Sequence, residues 1–152
     1  GGFDLLHISC HGLFNPDTST KSTLYLQDKS PLTVEALSGQ AVKFGFENPI
    51  VFLNACQTGR QGYSLTGIGS WARQFLAVRC AAFIGSLWSV NDDLAFTFAQ
   101  AFYTRLSAGA TLGEAVRYAR LAVKAADPTD PTYLAYTLYA DPCLSVEFGP
   151  LG

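Results

Sequence analysis

Methionine is absent from this chain, histidine occurs only twice, and charged side chains make up just 14% of the residues. Each shortage narrows what the molecule can be. So little charge beside 49% hydrophobic residues excludes a disordered or solvating segment and calls for a packed core. The ten basic residues are scattered and outnumbered by twelve acidic ones, so there is no electrostatic footprint for nucleic acid. Long apolar runs are missing too. A membrane span needs about 20 apolar residues, and the best uncharged stretch, residues 80–91, is shorter and interrupted by Gly85. No basic segment precedes an apolar run near the start, so no secretory signal is read. None of the four cysteines stands in C-x-x-C spacing, which argues against a zinc ribbon or a thioredoxin-like redox pair. Unpaired thiols suit a reducing compartment, and a cytoplasmic location is expected. A chain that opens Gly1-Gly2 and contains no Met is expected to be the excised or processed part of a longer protein.

What is present is an alternation of strand-like and helix-like segments. Residues 3–10 and 49–55 are apolar runs of the kind that form buried parallel strands. Residues 81–90 form a third. Ser22 to Asp28 alternates as a half-wet strand, and Thr33 is placed to cap a short helix ended by Gly39, with Leu32 and Leu37 as a hydrophobic staple. A helix is expected from Ser64 or Thr66 to about Val78, burying Ile68, Trp71, Phe75 and Leu76. Asn91 caps the next, whose stripe is Leu94, Phe98, Phe102 and Leu106, with Gly109 just beyond its end. Thr111-Leu112-Gly113-Glu114 is a capping box, opening a helix that buries Leu112, Ala115, Val116, Ala119 and Val123. Tyr133 to Ala140 and Leu144 to Phe148 are the last strand candidates. Strands alternating with helices, without internal repeat or linker, predict a single α/β domain over residues 1–152 with a mostly parallel sheet.

The chemistry-bearing residues fall at two strand ends, His11 after the first and Cys56 after the apolar run Ile50 to Ala55. Functional groups of parallel sheets gather beyond the carboxyl ends of the strands. A thiol becomes a competent nucleophile as the thiolate, which a neighbouring imidazole can generate. The same imidazole can then protonate the leaving amine. Backbone N–H groups near Gly12 and Cys56 could receive an oxyanion, Gly12 being a point where the chain can turn sharply. His7 lies mid-strand and reads as a hydrogen-bonded core histidine, and Cys10 and Cys80 read as inert core thiols. Cys10 falls on the opposite face from His7 and His11, so the three cannot converge on zinc; neither metal nor cofactor is expected. Gly67-Ile68-Gly69-Ser70-Trp71-Ala72 matches a loose dinucleotide pattern but starts too far from its strand, and small residues for close helix packing explain it better. Cys56 and Arg60 are too close for a phosphate-wrapping loop.

These segments together resemble the CHAT domain family. The resemblance rests on His7-x-x-x-His11-Gly12, Leu53-Asn54-Ala55-Cys56-Gln57-Thr58-Gly59 and Gly85-Ser86-Leu87-Trp88-Ser89-Val90-Asn91-Asp92. It continues through Phe102-Tyr103 and Gly113-Glu114-Ala115-Val116 to Tyr139-Ala140-Asp141-Pro142. Caspases, metacaspases and separases are relatives, and the order of His11 and Cys56 is similar to the caspase arrangement, with the histidine about 50 residues upstream. The resemblance implies a caspase-like three-layer α/β sandwich with a mostly parallel central sheet flanked by helices. It implies a cysteine endopeptidase in regulated bacterial proteolysis or defence signalling, with His11 as base, Cys56 as nucleophile, and Gly12 and Cys56 supplying oxyanion N–H groups. The alternative is a non-catalytic caspase-like binding or signalling module; a thiol redox sensor ranks last. The expected partners are a protein substrate and a regulatory tetratricopeptide-repeat region or sensor, with no nucleic acid or membrane contacted. Gln57 stands where Glu is common, and Val78-Arg79-Cys80 where a small Ala-Gly-Ala-like turn is usual. The strands that normally precede the histidine strand are absent, so the chain reads as a C-terminal catalytic portion. Asp92 and Asp93 are candidates for a pocket accepting a basic side chain, although two carboxylates in the first turn of a helix also complement its dipole. Asp17 is a further acidic candidate.

Overall fold

A computed structural model describes residues 4–13, 22–39, 48–57 and 68–147. The fold is the expected mixed α/β one, a mostly parallel central sheet with flanking helices, consistent with a caspase-like sandwich. Its backbone divides into two compact units, Gly1–Ser89 and Val90–Gly152.

In the first unit, strands β1 (Leu5–Leu13), β2 (Thr23–Tyr25), β3 (Pro31–Thr33), β4 (Ile50–Gln57) and β5 (Ala82–Ser86) lie in the order β3-β2-β1-β4-β5. The three longest are the parallel ones, and β4 runs between β1 and β5. Its apolar composition follows from that position. Ile50, Val51, Phe52, Leu53 and Ala55 are all buried, because a central parallel strand is covered on both faces. Two short strands add antiparallel pairing on the far side of β1, with His11 opposite Tyr25 and Leu24 opposite Leu32. Helix α1 (Val34–Gly39) starts where expected, the Thr33 hydroxyl accepting the Ala36 N–H at 3.1 Å.

Helix α2 (Ile68–Ala77) buries Ile68, Trp71, Ala72 and Phe75 against one face of the sheet, whereas Leu76 is exposed. Phe75 stacks on Phe83 with centroids 5.5 Å apart. Ile68 presses so closely on β5 that a Cβ at Gly85 would stand 2.8 Å from its Cδ1. The small residue that admits the helix is therefore Gly85. Of the small residues expected to serve close packing on α2 itself, Ala72 is buried and Gly69 is exposed. The end of α2 is closed by N–H groups of Arg79 and Cys80 donating to Leu76 and Phe75 carbonyls, with Arg79 at a φ of +70°.

The second unit is built on helices α3 (Asp92–Ser107) and α4 (Leu112–Ala126). Asn91 caps α3, its side chain accepting the N–H groups of Asp93 and Leu94. The stripe Leu94, Phe98, Phe102, Leu106 is buried as the 3.6-residue period requires. Gly109 follows the helix at a φ of +83°, where glycine carries no Cβ penalty. The five expected core residues of α4 are all buried. Every N–H at its start has an acceptor: Thr111 donates to Glu114, Leu112 to the Leu144 carbonyl, Gly113 to the Pro142 carbonyl, and Glu114 to the Thr111 hydroxyl.

Two sequence expectations give way after residue 130. Residues 132–135 form a single helical turn, α5 (Thr132–Ala135), because the Asp130 carboxylate accepts the Thr132 N–H and opens a turn. The strand, β6 (Tyr136–Tyr139), begins only after it. In place of a strand over 144–148, Ser145 makes an isolated bridge to Thr111.

Candidate active site

Strand β1 pairs in parallel with β4 from Leu5 opposite Ile50 to Gly12 opposite Gln57. That register sets His11 directly opposite Cys56, one step before the end of the ladder. Partners across a ladder share a face and lie about 4.8 Å apart at the backbone. Positions 11 and 56 therefore occupy one face of the pleat at the carboxyl end of two adjacent parallel strands. The opposite face is the one that α2 covers, through Phe83 and Gly85, which pair with Val51 and Leu53.

Along β1, Leu5, His7, Ser9 and His11 share one face and are exposed. The apolar run around them reads as a buried strand, but burial is one-sided here. His7 is thus corrected from a core histidine to an exposed one. Its ring stacks on buried Phe52 at 4.7 Å, in register with it across the ladder. That contact strips water from one side of the imidazole, and desolvation lowers its pKa below the usual histidine value. Between this stacked pair and the His11–Cys56 step lies Ser9 opposite Asn54, with Asn54 partly exposed. Alternation along the strand puts Ser9 on the face of His7 and His11, but only the register reveals Asn54 as its neighbour.

Gly12 is buried and does not turn the chain. Strand β1 continues through it to Leu13, because β2 supplies antiparallel partners as far as Thr23. Gly12 is opposite Leu24 on one side and Gln57 on the other. Asp92 and Asp93 lie exposed in the first turn of α3, where carboxylates complement the helix dipole. The described cysteines separate by environment. Cys80 is buried and its thiol is pushed up to about 11, so it stays protonated at neutral pH, while Cys143 is exposed. Cys10, expected in the core, is only half-buried. Asp17, Arg60 and the expected helix start at Ser64 or Thr66 lie outside the described residues. Among those described, no group of three His, Cys, Asp or Glu residues could hold a metal ion. No helix among them is long and apolar enough to cross a membrane.

Several motifs of the sequence meet in the second unit. Gly113 and Pro142 touch: a Cβ at Gly113 would stand 2.8 Å from the Pro142 ring and 2.9 Å from its carbonyl oxygen. The Asp141 side chain in turn accepts the Cys143 N–H. Gly113-Glu114 and Asp141-Pro142 are two halves of one structural clasp at the start of α4. Comparison with known proteins gives one family, the CHAT domain, whose model matches residues 1–142. No curated protein matches the chain.

Proposed function

Because this chain belongs to the CHAT domain family, we propose that it is a cysteine endopeptidase working through His11 and Cys56. The observation that carries the reading is the register of β1 against β4, which sets these two positions opposite each other. His11 takes the proton of the Cys56 thiol, and the sulfur attacks the scissile carbonyl. The tetrahedral oxyanion accepts backbone N–H groups of Gly12 and Cys56. As the C–N bond breaks, the His11 imidazolium protonates the leaving amine, and a thioester remains on Cys56. His11 next removes a proton from water, whose oxygen displaces the sulfur and restores the free thiol. Regulated proteolysis of a protein substrate, under a tetratricopeptide-repeat region or sensor partner, is the setting we propose for it.

The test is cleavage of a peptide library by the wild-type chain and by Cys56→Ala. Removing a thiol nucleophile should cost at least about a thousandfold in kcat/KM, while far-UV circular dichroism stays unchanged. Comparable cleavage by the variant would sink the mechanism. The same library tests the pocket: if Asp92 and Asp93 recognise a basic side chain, Asp92→Asn with Asp93→Asn lowers the preference for Lys and Arg at the cleaved bond. An unchanged preference leaves those carboxylates with the helix dipole alone.

A further inference from the structure

The second unit carries its charges unevenly. Its only cations are Arg105, Arg117, Arg120 and Lys124, three of them on α4 and the fourth at the end of α3. Its acids lie mostly elsewhere, at Asp92 and Asp93, Asp127 and Asp130, and Asp141 and Glu147. The nearest acids are held by hydrogen bonds, although Glu114 also feels the charges of Arg105 and Arg117. Asp127 accepts the N–H groups of Thr129 and Asp130, and Glu114 is held by the N–H and hydroxyl of Thr111.

On α4, Arg117, Tyr118, Leu121 and Lys124 follow the spacing that aligns side chains along one helix face. Rings anchor the cations at both ends. Arg105 lies over Tyr118 at 5.7 Å, and Lys124 over Tyr133 of α5 at 5.1 Å. Arg120 turns away, donating to the Tyr136 carbonyl. Along this face of α4, Tyr118 is 50% exposed and Leu121 51%, and on α5 Leu134, which follows Tyr133 in the chain, is 52% exposed. Exposed large apolar side chains gathered beside fixed cations mark an interaction surface better than scattered ones do.

We infer that this stripe docks an acidic amphipathic helix of a partner protein. From Arg117 to Lys124 the stripe spans about 10 Å, two helical turns. A partner helix of about three turns, with leucines on one side and carboxylates flanking them, places apolar groups on Tyr118, Leu121 and Leu134 and acids on Arg105, Arg117 and Lys124. A nucleic acid or an anionic membrane fits less well. Only three cations face outward, and either polyanion would extend over the acidic ends of the unit. This inference is independent of His11 and Cys56.

The test titrates the 152-residue chain with a labelled helical peptide of about 15 residues, leucines at every third or fourth position and glutamates between them. A version with lysine in place of glutamate, a single-stranded oligonucleotide and anionic lipid vesicles are run in parallel at about 0.15 M salt. The acidic peptide should bind at least about tenfold more tightly than the basic one. Leu121→Glu and Lys124→Glu should each weaken it about tenfold with helix content unchanged. Equal binding of both peptides, or indifference to both substitutions, overturns the inference. So does tighter binding of the oligonucleotide or vesicles, or self-association that Leu121→Glu abolishes, since each assigns the stripe another occupant.

Discussion

At the scale of single residues, environment separates groups that the sequence lists as equals. Cys80 and Cys143 are the clearest pair. Burial holds the Cys80 thiol protonated, whereas Cys143 faces solvent. In a timed alkylation at pH 7.5, Cys143 should be modified completely before Cys80 reacts, which mass spectrometry of the peptides would resolve. His7 gives a second test. Its folded pKa lies below the unfolded value because partial burial, with Phe52 covering one side, desolvates the charged ring. Such a group contributes stability above the unfolded pKa and loses it as pH falls through the folded one. Wild-type stability should therefore drop below about pH 6.5 more steeply than that of His7→Gln, as read from urea midpoints. Identical slopes would mean that the ring keeps its full hydration. His7 was misread because a histidine among Leu6, Ile8 and Cys10 looks enclosed, and nothing in a lone strand says which of its faces lacks cover.

At the scale of elements, two helix ends share one closing geometry but not one residue. Gly109 takes a positive φ after α3, and Arg79 takes one after α2. A side chain there costs about 1–2 kcal/mol, partly recovered from the stiffer unfolded chain. Arg79→Gly should thus stabilise the protein by up to about 1 kcal/mol in denaturant unfolding. Gly113 works in the opposite sense. Alanine suits a helix better by about 1 kcal/mol, but its Cβ would meet Pro142 backbone atoms that have little room to yield. Overpacking costs about 1–3 kcal/mol, so Gly113→Ala should destabilise despite its helix propensity. The long helices were legible because α3 and α4 repeat their apolar positions over four turns and carry explicit caps at Asn91 and Thr111. Strand β3 and helix α5 were not, since three or four residues hold no period to read.

At the scale of the whole molecule, the family's motifs serve two purposes. Those around His11 and Cys56 end neighbouring parallel strands, and those around Gly113 and Pro142 clasp the start of α4. Sequence spacing brought His11 and Cys56 to strand ends, but only the ladder sets them opposite each other. A shift of one residue would have sent them to different faces. The most direct test is the alkylation rate of Cys56 at neutral pH in the wild type and in His11→Ala, followed by mass spectrometry. With His11 as its base, Cys56 should react faster than Cys10 and Cys143, and His11→Ala should slow it by about tenfold or more. Equal rates in the two proteins, or no preference for Cys56 among the thiols, would contradict the dyad.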